Sequence, residues 1–305
     1  QSIQEVQMIA PKISISQQIN GSSDYIVSPG ENLHYAIYVR NIGNSFFEKL
    51  YLTVKLDSSA FDFSTVNIDP EQARLDNNQI IWDWKSFPQL AKLDIGDEIK
   101  IEFDVKLQEQ WSISKTQPNN TIVKNVISVA NIAQEFINKV NSRMIILQTG
   151  AYDDKGLFGN TGSNPPVAGQ TTTYTITWQV KNFYNDMKNV KVKATLMPGV
   201  IITGKISPDT AISNFTLDSQ SREIVWIVGE DVPVGTGILS QPLSISFQIS
   251  VTPTSIPSTG LPLIGEPVIS GEDQWTGRTV QWQGWPIDST LTDNNSQLPP
   301  QPQTN

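Results

Sequence analysis

The chain has one histidine, His34, and no cysteine. Together these remove His- and Cys-ligated metal centres, thiol nucleophiles and disulfide staples, and they make a Ser-His-Asp triad hard to build. In NLHYAIYV the inward set is Leu33, Tyr35, Ile37 and Val39, so His34 is expected on the outward, solvated face. Thirty acidic residues could supply many carboxylate pairs, and that abundance singles out none for glycoside hydrolysis. No Gly-rich phosphate loop or nucleotide motif is present. The chain reads as non-enzymatic.

Two constellations could still bind something. Asp153, Asp154 and Asn160 share one loop, and calcium needs only oxygen ligands of this kind. The loop lacks EF-hand spacing, and a solvated acidic loop is the plain alternative. Trp275, Trp282 and Trp285 fall within eleven residues, and aromatic faces of this sort stack on pyranose rings. The plainer reading puts Trp282 on the core beside Val280, with Trp275 and Trp285 half-buried at an edge.

The elements that must carry these residues come from an internal repeat. YAIYVRN (from Tyr35), LYLTVKL (from Leu50), QIIWDW (from Gln79) and IKIEFDVKL (from Ile99) return in the same order. Their second copies are YTITWQVKN (from Tyr174), VKVKATL (from Val190), EIVWIVG (from Glu223) and LSISFQISV (from Leu243). Aligning Tyr35 with Tyr174 gives an offset of 139, which grows to 144 at Trp82/Trp226 and Phe103/Phe247, as loop insertions would produce.

Within each segment apolar and polar residues alternate, the mark of a strand with one buried face. Ile99, Ile101, Phe103, Val105 and Leu107 answer Leu243, Ile245, Phe247, Ile249 and Val251, while the outward residues between them are rewritten. Turn formers such as Pro29-Gly30, Asn77-Asn78, Pro198-Gly199 and Gly235-Thr236-Gly237 separate the strands. The expected fold is all-β: two tandem immunoglobulin-like antiparallel β-sandwiches, over residues 1–148 and 149–293. Trp82 and Trp226 are expected in the cores. Residues 131–140 have helical spacing, but their counterpart around Gly277 alternates like a strand, so a hairpin is expected in both copies.

NTGSNPPVAGQTTTYTITWQVKN, ATLMPGV, REIVWIVGEDVPVGTG, LSISFQISVTP and LIGEPVISGEDQWTG resemble the Ig-like conserved repeat of bacterial and archaeal cell-surface proteins, over about residues 144–293. The versions in large surface proteins of candidate-phyla bacteria are the most similar. SPGENLHYAIYVRNIGN and NNQIIWDWKSF in the first half match the same form more loosely. The resemblance implies a fold and an extracellular, cell-surface location, with roles in stalks, adhesins and surface layers. It brings no catalytic residue.

A net charge of −9, with no basic patch in either half, argues against nucleic-acid and anionic-lipid partners. No apolar run is long enough to span a bilayer. Gln1 suits a processed terminus or a segment of a longer chain, and residues 294–305, rich in Pro, Asn and Gln, read as a tail or linker. Two functions follow. One is a structural repeat of a surface filament, stalk or surface layer whose partners are other copies or other surface proteins. The other is an adhesin or carbohydrate-binding module whose partners are glycans.

Overall fold

The computed structural model describes residues 12–114, 120–256 and 260–290. The 294–305 tail lies outside them. The chain forms two immunoglobulin-like antiparallel β-sandwiches in tandem, and the compact units divide between Asn141 and Ser142. The expected border after residue 148 falls inside a strand. Met144–Ala151 pairs along its length with Thr172–Asn182 and so belongs to the second sandwich. Only Val140 to Arg143 separate it from the strand Ile132–Lys139, with no Gly or Pro to mark the break.

In the first sandwich one sheet has the spatial order Ile13–Ile19, Asn32–Asn41, Glu98–Leu107, Phe61–Asn67. The other has the order Ile132–Lys139, Ile122–Val129, Tyr51–Leu56, Gln79–Asp83, Ala73–Asp76. The second sandwich repeats both orders. Its sheets are Met144–Ala151, Thr172–Asn182, Leu243–Val251, Val200–Ser207 and, reading from the other edge, Thr279–Gln283, Val268–Asp273, Met187–Thr195, Glu223–Val232, Phe215–Leu217. Residues 132–139 form the outer strand of a hairpin with Ile122–Val129, and Thr279–Gln283 does the same with Val268–Asp273.

The inward residues of both copies are buried: Leu52, Val54, Leu56 and Ile99 to Leu107 on one side of the repeat, Val190, Val192 and Ile245 to Val251 on the other. Trp82 and Trp226 are core residues, 3% and 4% exposed. Phe103 stacks on Tyr35 with ring centres 4.7 Å apart, and Phe247 meets Trp178 edge-on at 5.2 Å. In the strand Leu243–Val251 two positions depart from simple alternation. Leu243 is exposed at the start of its strand, and Gln248, on the outward face, is buried. Gln248 is covered by the loop bearing Asn160, whose Oδ1 accepts a hydrogen bond from its amide at 2.9 Å.

The registers correct the alignment of the copies. Tyr35 lies opposite Phe103 and Leu52 opposite Trp82; Ile176 lies opposite Phe247 and Val192 opposite Trp226. The counterpart of Tyr35 is therefore Ile176, two residues beyond Tyr174. Sliding a period-2 pattern by two residues leaves every side chain on its own face, so alternation cannot distinguish the two alignments.

Each sandwich takes the chain in at one pole and passes it out at the other. In the first, Ile13 lies opposite Asn41 at the entry, while Asn141 donates its N–H to the Val27 carbonyl and its side-chain amide to Ser28 Oγ at the far end. In the second, Met144 lies opposite Asn182 at the entry. The last described strand, Ile287–Asp288, pairs with Pro262–Ile264, and Gly265 bonds Thr195 at the end of Met187–Thr195 remote from that entry. The ten-residue strand between the poles corresponds to about 30 Å.

Candidate functional site

The loop after Met144–Ala151 holds the three residues expected to offer oxygens to calcium. It is closed by its own donors. Asp154 Oδ1 accepts from the Gly156 amide at 3.0 Å, and its Oδ2 accepts from the Phe158 amide at 2.8 Å and the Thr175 hydroxyl at 2.9 Å. Asp153 Oδ1 accepts from the Lys155 amide at 3.0 Å. Asn160 turns its amide nitrogen to the Ala151 and Tyr152 carbonyls and the Thr175 hydroxyl. Burial pushes the Asp154 carboxyl up, and the hydrogen bonds from Phe158, Thr175, Gly156 and Gly159 outweigh it, holding the group below its ordinary value. Among the described residues no three His, Cys, Asp or Glu side chains are grouped to hold a metal ion.

The three tryptophans occupy separate stations. Trp275 lies in the turn of the last hairpin, half-buried, its amide on Asp273 Oδ1 at 2.8 Å. Trp282, opposite Ile269, packs against the second core, and the buried Arg143 guanidinium stands 4.6 Å from its ring centre. Trp285, beyond the strand, is 42% exposed, and its carbonyl accepts from the Gln148 amide. Residues 279 to 285 of extended chain cover roughly 20 Å, so Trp275 and Trp285 lie toward opposite poles.

A buried polar network that the sequence reading missed locks the entry of the second sandwich. Asp273, fully buried, accepts four hydrogen bonds: from the Ser142 amide at 2.6 Å, the Asn185 side chain at 2.7 Å, and the Trp275 and Thr276 amides at 2.8 and 3.0 Å. Asn182, also fully buried, accepts from the Ser142 hydroxyl and donates to the carbonyls of Asn185, Val232 and Pro233. Four donors on one carboxylate satisfy a group that would otherwise be costly to bury.

In the first sandwich Asn41 holds the equivalent place. It donates to the Ser45 and Leu93 carbonyls and accepts from the Gly43 amide. The signal was present in the sequence, since both YAIYVRN and YTITWQVKN end in Asn. Anchoring the alignment on these asparagines gives the observed register.

His34 lies on the outward face, 47% exposed at its side chain, with Nδ1 2.8 Å from Asp104 and Nε2 3.3 Å from Glu102. The Asp104 hydrogen bond raises its pKa, aided by Glu102 and opposed by slight burial. No nucleophile accompanies it among its described partners.

No family model matches the chain, and no curated protein matches it. Solved structures do align with it. The C-terminal domain of the Streptococcus pyogenes antigen I/II-family protein AspA is 11% identical, covering 90% of this chain and 99% of that one, at a TM-score of 0.33. BcpA, the major pilin subunit of Bacillus cereus, is 11% identical over 91% of this chain and 65% of its own, at 0.32. The major pilin SpaD of Corynebacterium diphtheriae is 10% identical over 78% and 60%, at 0.30. Scores this low decide nothing about fold or role, and the sandwich assignment rests on the strand orders and registers above.

Proposed function

We propose that the chain is a non-catalytic extracellular structural module of a cell-surface protein, serving as a repeat unit of a surface filament, stalk or surface layer. The observation that carries this reading is the opposed placement of entry and exit in each sandwich. Domain termini often lie close together. A domain threaded from pole to pole instead adds its whole strand length to an array. Three fully buried polar side chains, Asp273, Asn182 and Asn41, are consumed in holding the entry loops, which suits load-bearing rather than chemistry. Immunogold electron microscopy of the native particle tests the reading: label on extended surface assemblies is expected, and label confined to the cell interior overturns it.

A second reading, a carbohydrate-binding or adhesive module, is favoured by the exposed ring of Trp285. A glycan array comparing the chain with Trp285→Ala tests it, and binding lost in the variant is the result that would select it.

A further inference from the structure

In the first sandwich the strand that enters and the strand that leaves are bonded to each other. Ile13–Ile19 starts at the entry pole, and Ile132–Lys139 leads to Asn141 at the opposite pole, on the facing sheet. Three inward amides join them: Gln17, Asn125 and Asn138 are 6%, 1% and 6% exposed. Asn125 donates to Gln17 Oε1 at 2.6 Å, Gln17 to Asn138 Oδ1 at 3.5 Å, and Asn138 to the Tyr25 carbonyl at 3.0 Å. Burying three amides costs desolvation, which these mutual bonds offset. Beyond them the backbones pair in parallel at Val27 and Val140. The Val27 N–H donates to the Lys139 carbonyl at 3.0 Å, the Asn141 N–H to the Val27 carbonyl at 2.9 Å, and the Asn141 side chain to Ser28 Oγ at 2.9 Å.

The second sandwich keeps part of this arrangement. Gln148, opposite Trp178 as Gln17 is opposite Ile37, donates to the Gly265 and Trp285 carbonyls and accepts from the Trp178 indole at 2.7 Å. Among the described residues its exit strand, Ile287–Asp288, pairs with Pro262–Ile264 and not with the chain that follows Met144–Ala151.

From this we infer that the Gln17, Asn125 and Asn138 amides and the parallel Val27–Val140 pairing form a force clamp, which resists tension applied along the chain through the first sandwich. The reason is direction. A pull at the entry draws Ile13–Ile19 one way, and a pull at Asn141 draws Ile132–Lys139 the other. The two segments slide past one another, and the bonds between them load together. Bonds loaded together break as a set, whereas a ladder opened from one end breaks pair by pair. Forced unfolding is governed by the unfolding rate, so bonds that must break together at the barrier set the force. The inference rests on the structural-module reading and says how such a module withstands a pull.

Optical-tweezer pulling of the full chain tests it. The chain has no cysteine, so a pair placed at exposed residues defines the direction of pull. Lys12→Cys/Lys139→Cys loads the clamp along the strands. Lys12→Cys/Arg40→Cys opens the first strand from its neighbour, since Arg40 lies opposite Ser14. The axial pair is expected to rupture at roughly twice the force of the opening pair or more. Adding Gln17→Leu should lower the axial force by the larger factor, whereas a general loss of stability would lower both alike. Equal forces in the two directions overturn the inference, and this comparison alters exposed side chains alone, so it decides even where Gln17→Leu does not fold. An axial force that Gln17→Leu lowers no more than the opening force overturns it too. Equal forces in a chain that labels the cell surface remove the clamp and leave the module reading standing, whereas interior label removes that reading whatever the forces.

Discussion

The carboxylate of Asp273 accepts a 2.6 Å hydrogen bond from the backbone amide of Ser142, 131 residues earlier in the chain. Through it, the first residue of the second sandwich is held by the hairpin at its end. Asp273→Ala leaves the Ser142, Trp275 and Thr276 amides and the Asn185 side chain without this acceptor. Hydrogen bonds to charged groups contribute about 1.5–3 kcal/mol each and are not additive, so a loss of about 3 kcal/mol or more is expected in the unfolding of the second sandwich by urea. A loss under about 1 kcal/mol would show that the network does not hold the entry.

Phe103 and Phe247 sit in equivalent central strands, each opposite its counterpart residue, Tyr35 or Ile176. Phe103→Ala and Phe247→Ala should each cost about 3–5 kcal/mol through lost burial and the cavity left behind. Each variant should lower one denaturation midpoint and leave the other in place. A single shared transition that moves with both would contradict two independently cored sandwiches.

Tyr35 is buried, and its hydroxyl has no hydrogen-bond partner among the described residues. Burial holds its proton far above the ordinary phenol range, so the group stays neutral. Tyr35→Phe keeps the stack on Phe103 and removes the unsatisfied oxygen. It is expected to stabilise the first sandwich by about 1 kcal/mol, and a destabilised variant would reveal a partner for the hydroxyl.

His34 titrates above its ordinary value of 6.5 because Asp104 and Glu102 hold its charged form. A raised folded pKa contributes stability that is present below 6.5 and lost as pH rises through the folded value. The ring is half exposed, so solvent screens the effect and its influence on stability is small. An NMR titration of the single imidazole should give a pKa above 6.5, and Asp104→Asn should bring it down. An unchanged titration in that variant would place the cause elsewhere.

In the 153–160 loop the carboxylates already serve backbone amides. Thermal melts with and without calcium, at the millimolar level that weak extracellular sites require, are expected to coincide. Asp154→Ala should lower the second midpoint equally in both conditions. A calcium-dependent rise in the native midpoint would show that the loop reopens to bind the ion.

Alternation and the internal repeat by themselves determined that both halves are sandwiches, which side chains enter the cores and which face carries His34, because a pleated strand assigns sides by parity alone. They also gave the last hairpin, where Val280 and Trp282 alternate around Gly277. Parity says nothing of distance along a strand. Parity therefore allows Tyr35 to align with Tyr174, whereas the registers make Ile176 its equivalent, and it leaves a border at residue 148 inside Met144–Ala151 unmarked.

What only the tertiary structure decided was the company each residue keeps: Gln248 buried under Asn160, Trp282 beneath Arg143, Ser142 on Asp273, and, within each sandwich, entry and exit at opposite poles. Those contacts join residues far apart in sequence. No local pattern of polarity encodes them, and they form only when two sheets have closed on one core.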